Sequence, residues 1–264
     1  FSGAEAAMTR MDLLSAVLSP DGWYCVVGLK KTGHPKQVFV TGLDEVDGVV
    51  EDLLANEYDA YFACSKYETD KARSADNVKV IKAFWLDVDC GEGKPYATQN
   101  DGLVALKDFC SAVGLPKPCI VNSGRGLHVY WPFTEDLEIN TWKPVAENMK
   151  RLCKKMNFNI DWGVTGDAAR ILRVPDTNNY KQEKPRPVKI VVEGKVFDFN
   201  TFAELVKEKV GTSAYTAPDT LNIPGKRIEP TANGVKLVEN TITFFSKIED
   251  SCGQIKYYKD NAKN

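Results

Sequence analysis

The stretch 78–89 constrains the fold more than any other: Val78-Lys79-Val80-Ile81-Lys82-Ala83-Phe84-Trp85-Leu86-Asp87-Val88-Asp89 is a β-branched, apolar run that ends in two acids. Such a run reads as a strand. Its two-residue period sends Asp87 and Asp89 to one side and Leu86 and Val88 to the other. Neighbouring carboxylates repel each other unless a cation sits between them, and a hard divalent ion held by oxygen ligands relieves that repulsion. An acid-x-acid pair alone also suits a solvated strand end, so the other motifs have to decide.

The 264 residues are 43% hydrophobic and 27% charged, enough to bury a core as one large domain or two interleaved units. No apolar run approaches the roughly 20 residues that span a bilayer, and no basic-then-apolar leader opens the chain. No membrane role is expected. The seven cysteines are dispersed, with no Cys-x-x-Cys pair and only His34 and His128 beside them, which excludes a conventional zinc module and fits reduced thiols in a cytoplasm.

A formal net charge of -2 does not advertise a nucleic-acid binder, but the charges are unevenly spread. Seven acids and no base lie between Asp44 and Asp59, whereas Arg170, Arg173, Lys181, Lys184, Arg186 and Lys189 crowd the stretch 170–189. One face toward polyanions and another that repels them would give this pattern.

Apolar spacing predicts helices over 11–18, around Val46 to Leu54, around Leu103 to Cys110 with a stop at Gly114, and from a cap at Asn140 or Thr141 through Val145, Met149, Leu152 and Met156. Both methionines read as core fillers. A last helix follows a Thr201 cap. Strands are expected at 23–29, 37–40, 58–65, 119–121, 127–131, 168–174 and 188–192, with a polar connection over 66–76. Residues 211–230 read as a linker, and 237–245 as a terminal strand or the lead into a further domain. Mixed order with hairpin-like pairs predicts an α+β fold with antiparallel pairing.

Asn122-Ser123-Gly124-Arg125-Gly126-Leu127-His128-Val129-Tyr130 adds a second motif. Its glycines allow close backbone approach, so amide donors, Ser123 and the Arg125 fork can converge on phosphate oxygens. His128 lies on the side of Gly126 and Tyr130 in an extended continuation, beside the same turn. A single histidine on an apolar strand is more often packed than catalytic.

Four signatures in order, Asp87-Val88-Asp89, Ser123 to His128, Asp161, and Arg170-Ile171-Leu172-Arg173-Val174-Pro175-Asp176-Thr177-Asn178, resemble those of the archaeo-eukaryotic primase superfamily, more narrowly the primase-polymerases of phages and mobile elements. The overlap runs over 84–181. Family members often write Pro-Gly-Thr-x-Asn where this chain has Pro175-Asp176-Thr177-Asn178-Asn179. The resemblance implies a catalytic core with an RRM-like sheet and an additional N-terminal α/β unit, occupying 8–210, with 211–264 as linker and C-terminal extension. It implies that Asp87, Asp89 and Asp161 hold Mg²⁺ or Mn²⁺, with Asp167 the competitor for the third place. His128 would contact the nucleotide's phosphates, and Ser123, Arg125, Arg170, Arg173 and Lys181 complete the nucleotide-binding set. Arg173 is preferred to Arg170, because Arg170 has Asp167 to pair with.

The function implied is template-dependent synthesis of primers and DNA from nucleoside triphosphates by two-metal nucleotidyl transfer. Implied partners are a single-stranded DNA template, a primer strand and a helicase or single-strand-binding protein, in a cytoplasm and encoded by a phage or mobile element. Lys143, Lys150 or Lys184 are candidates for phosphate contacts and Trp162, Trp131 or Tyr130 for base stacking. Trp85 reads as core. A metal-dependent nuclease and a noncatalytic single-strand-binding module are the rival readings.

Overall fold

A computed structural model describes residues 7–211 of the chain. In chain order the elements are α1 (Arg10–Val17), β1 (Tyr24–Leu29), β2 (Lys36–Val40), α2 (Leu43–Ala55), β3 (Asp59–Ala63), β4 (Ser65–Tyr67), β5 (Val78–Val88) and α3 (Gln99–Val113). There follow β6 (Cys119–Asn122), β7 (Leu127–Leu137), α4 (Ile139–Lys155), β8 (Ile171–Arg173), β9 (Thr177–Asn179), β10 (Arg186–Val192) and α5 (Phe199–Val210). The linker and terminal strand expected beyond Gly211 lie outside the described residues, as does Cys252. The other six cysteines are buried and free.

The strands form a four-stranded sheet, β2-β1-β3-β8, and a six-stranded sheet, β4-β5-β7-β6-β10-β9, every ladder antiparallel. The result is a mixed α/β fold whose curled antiparallel sheet is RRM-like and carries additional helices and strands. β6 and β7 are a hairpin around the glycine loop, with Asn122 opposite Leu127, and β7 continues the ladder onto β5 with His128 opposite Asp87. That register sets the two motifs of the sequence side by side.

Helix ends follow local chemistry. Thr9 and Asp12 close a capping box on α1, as Thr98 and Asp101 do on α3, and Gly114 ends α3 with φ 82°. α4 starts ahead of the expected caps: Glu138 is its N-cap, without a side-chain bond, and Asn140 and Thr141 already lie inside. On α5 the cap is Asp198, not Thr201, because the Asp198 carboxylate accepts from the Thr201 backbone N–H at 2.7 Å.

Alternation failed where both faces of a strand are covered. The single strand expected over 58–65 breaks at Cys64, whose N–H donates to the Arg170 carbonyl at 2.8 Å, and the chain passes from one sheet to the other. The polar connection expected from Lys66 opens with β4, and Lys66 is 0% exposed, its ammonium 3.0 Å from the centre of the Tyr24 ring. Only 171–173 of the extended stretch 168–174 is strand. β9, three polar residues, carried no pattern to find.

Aromatic packing holds the six-stranded sheet against α4 and α5. Trp85 and Trp142 rings lie 5.0 Å apart, Phe84 meets Phe202 at 5.4 Å, and the Trp142 indole N–H donates to the Ala83 carbonyl at 2.9 Å. Tyr130 and Trp131 are fully buried in the core, which removes them as base-stacking surfaces. Met149 is core as expected; Met156 is 39% exposed, because it caps the end of α4 and faces no layer.

Candidate active site

Asp87 stands near the end of β5, where the ladder gives it His128 as a cross-strand neighbour. The imidazole Nε2 lies 4.0 Å from an Asp87 carboxylate oxygen, beyond hydrogen-bond length. The chain leaving α4 returns to this strand. Asp161 donates its N–H to the Asp87 carbonyl at 2.8 Å, Trp85 donates its indole N–H to the Val164 carbonyl at 3.2 Å, and the Thr165 hydroxyl donates to the Trp85 carbonyl at 3.1 Å. Three bonds thus stitch 161–165 along β5 and bring an acid from 74 residues away to the end of the acid-x-acid strand.

Cations pair with these acids. Arg170 reaches Asp161 at 3.8 Å with one arm and Asp167 at 3.7 Å with the other. Asp167, the competitor for the third acid, is therefore an Arg170 partner, and its carboxylate also accepts from the Ala169 N–H at 3.0 Å. Asp89 is paired with Lys94 at 2.8 Å. No motif singles out Lys94.

The glycine loop is self-supporting. Ser123, 6% exposed, accepts from the Gly126 N–H at 3.1 Å through its hydroxyl and from the Asn179 amide at 2.8 Å through its carbonyl. Gly124 has φ 89°, and a methyl group on Gly126 would sit under 3.0 Å from the Val88 carbonyl oxygen, so the loop needs both glycines to lie against β5. Arg125 is half-buried beside Gly91, just past Asp89. The Lys181 N–H donates to the Asn179 side chain at 3.1 Å.

Arg173, expected among the nucleotide-binding residues, already holds a carboxylate. It is 4% exposed and ion-paired with Asp59 at 2.5 Å. Asp59 itself, the last member of the acidic run, is 5% exposed and belongs to the interior rather than to a repelling surface. The basic face of α4 is partnered: Lys143 and Lys150 pair with Glu147 at 3.3 Å and 3.4 Å, which fits a solvated helix face. Lys184 is exposed, and the half-buried Trp162 has Lys154 5.3 Å from its ring centre.

Burial, and then the charges of Asp89 and Asp161, push the Asp87 carboxyl up to about 7, with Arg170 and Lys181 opposing in part. His128 is pushed down to about 3, first by burial and then by Arg173, Arg170 and Lys181, so it is neutral at neutral pH. Lys181 is lowered too, by loss of hydration around its ammonium and next by Arg173. These shared influences bring Asp87, Asp89, Asp161, His128, Arg170, Arg173 and Lys181 into one electrostatic cluster, with Arg125 acting on Lys181 from the loop.

The two shifts oppose each other in stability. A carboxyl at about 7 against 3.8 keeps a proton that the unfolded chain has lost, so the Asp87 contribution falls as pH rises from about 4 to about 7. A histidine at about 3 against 6.5 contributes stability that is complete above 6.5 and is lost on acidification. Asp87→Asn removes the first slope alone. The variant's advantage over the native chain, without divalent ions, is expected to grow between pH 4 and 7 to on the order of 1–3 kcal/mol. Urea unfolding at several pH values measures it; a gap independent of pH contradicts the electrostatic account.

Among the described residues no three His, Cys, Asp or Glu side chains close on a metal-holding geometry. The donor set nevertheless fits a hard cation in kind: Asp87, Asp89 and Asp161 are all carboxylates, and Asp89 and Asp161 add to burial in raising Asp87.

By sequence, no family model matches the chain and no curated protein matches it. Among solved structures, the archaeo-eukaryotic primase domain of the primase-polymerase of cyanophage S-2L is similar over 70% of this chain and 90% of that one, with TM-score 0.50 and 16% identity. Primase RepB′ is similar over 77% of this chain and 60% of that one, with TM-score 0.50 and 12% identity. This chain therefore spans less than two thirds of that second structure. The fold of the chain is therefore similar to that of these two primase structures.

Proposed function

We propose that residues 8–210 form a nucleotidyltransferase core that extends nucleic acid from nucleoside triphosphates on a single-stranded DNA template. The observation that carries this reading is the hydrogen bond from the Asp161 N–H to the Asp87 carbonyl, which joins the Asp161 backbone to the end of the acid-x-acid strand. Asp87, Asp89 and Asp161 would hold Mg²⁺ or Mn²⁺. When bound, such ions make a primer 3′-hydroxyl more acidic and stabilise the charge that develops at the α-phosphate.

The chain's own side chains do the rest. Arg170, Lys181 and Arg125 neutralise the triphosphate, Arg170 exchanging long contacts to Asp161 and Asp167 for phosphate oxygens. His128, neutral at the working pH, donates one ring N–H to a phosphate oxygen without first having to gain a proton. The glycine loop seats the phosphates close to the backbone, with Ser123 and Asn179 holding its shape. A pure binding module has no use for three clustered acids, since they repel the polyanion it must hold.

A labelled primer annealed to a template, with ribo- or deoxyribonucleoside triphosphates and Mg²⁺ or Mn²⁺ in separate reactions, tests the proposal. The expected product is a longer strand that requires the template. Shortening of the primer would support hydrolysis instead, and binding without nucleotide consumption would support the module. The same reaction without primer tells whether the chain initiates strands.

A further inference from the structure

Arg173 and His128 each carry a buried nitrogen without a hydrogen-bond partner. Arg173 uses Nη1 on the Asp59 carboxylate at 2.5 Å, while its Nη2 is buried without a hydrogen bond. The Nδ1 of His128 is likewise buried and unpaired. Of the charges that act on His128, Arg173 has the largest effect, ahead of Arg170 and Lys181. Buried polar groups are paired in the great majority of cases, so two orphans together mark a place where a ligand's acceptor atoms belong.

The sequence fold explains how Arg173 is held. β3 pairs with β8 so that Tyr61 faces Arg173, and the Tyr61 ring lies 4.8 Å from the guanidinium carbon. Asp59, two residues earlier on β3, shares that side of the strand. The oxygen that takes Nη1 also accepts the Tyr180 N–H at 2.8 Å, so one carboxylate fixes both Arg173 and the start of the segment carrying Lys181.

We infer that Asp59 is a positioning residue, which grips one arm of Arg173 and the backbone of Tyr180 so that the other guanidinium arm and Lys181 face a phosphate-type oxyanion beside His128. This rests on the triphosphate reading above and names a residue that reading did not contain. Asp59 touches no substrate; it acts through Arg173. An arginine pinned at one arm keeps its remaining donors in a fixed plane, the geometry that suits oxyanions.

Two variants and two measurements test it. Equilibrium binding of tripolyphosphate at constant Mg²⁺ is compared with steady-state nucleotide incorporation. Asp59→Asn is expected to weaken tripolyphosphate binding and raise the nucleotide KM roughly tenfold or more, as loss of an oriented charged donor does, with kcat changed less than about threefold. Because removing one partner of a buried pair can prevent folding, Arg173→Lys is the second variant. It keeps an ion pair with Asp59 but has no second arm, so affinity should fall as far while Tm stays close to the native value. Native affinity in Asp59→Asn, or in Arg173→Lys where the first does not fold, overturns the inference, and so does a loss confined to kcat. Should the native chain incorporate no nucleotide, the transfer reading fails and tripolyphosphate binding still decides the part of Asp59. A native chain that binds no tripolyphosphate overturns the inference.

Discussion

Asp87→Ala and Asp89→Ala are each expected to lower template-directed incorporation by at least about 10²–10³-fold, the scale on which loss of one electrostatic stabiliser acts. Neither should cost the fold. Asp87 is a net liability to the folded chain, since burial and two neighbouring carboxylates act against its charge, and removing it relieves that repulsion. Asp89 has one ion pair, to a Lys94 side chain that is 38% exposed, and exposed pairs contribute about 0–1 kcal/mol. Incorporation assays beside far-ultraviolet dichroism and Tm separate the two effects. Native activity in either variant would refute a role for the pair, and loss of structure in step with activity would make the acids structural. That a destabilising cluster persists at the end of a well-packed strand is what function at the expense of stability looks like.

The second large effect is expected at Gly126. A methyl group there would meet the Val88 carbonyl oxygen under 3.0 Å and the Asp89 Cα at 3.5 Å, and both belong to backbone that cannot swing aside. Gly126→Ala must therefore push the start of β7 away from the end of β5, where Val88 pairs with Leu127 and Asp87 with His128. Over-packing of this kind destabilises by about 1–3 kcal/mol. Incorporation should suffer more, since a displacement of about 1 Å in reacting groups can cost about 10²-fold. Gly48→Ala is the control, because nothing lies within 4 Å of a Cβ at that helical position. It should be neutral or stabilise by up to about 1 kcal/mol through helix propensity. A Gly126→Ala chain with native Tm and native activity would show that the close approach does not position the acids.

Much of this site was legible because its parts are local. Burial along β5 alternates over Val80 to Ala83 and again over Leu86 to Val88, and the hairpin follows from two short apolar runs around Ser123 to Gly126. Asp161 carried no local signal at all. Its place comes from a backbone bond to Asp87, which no spacing encodes, and only the resemblance to a known order of motifs pointed to it. Asp59 gave no sign of its burial either: it ends an acidic run, and its interior place becomes visible only once β8 supplies Arg173 as its partner. Arg173 was singled out from the sequence, but not the carboxylate that occupies half of it. Lys66 shows the converse. A lysine between polar neighbours reads as solvated, yet the crossing at Cys64 carries it inside, over the Tyr24 ring.

The proposed nucleotidyl transfer requires Asp161, and not Asp167, to complete a carboxylate set with Asp87 and Asp89. Titration of Mn²⁺ into the native chain, Asp161→Asn and Asp167→Asn, followed by the loss of the free-ion electron-paramagnetic signal, tests this without reference to turnover. Asp161→Asn is expected to weaken Mn²⁺ binding by roughly tenfold or more, as loss of an anionic oxygen ligand does, and Asp167→Asn to leave it within about twofold. Native affinity in Asp161→Asn with binding lost in Asp167→Asn would contradict it.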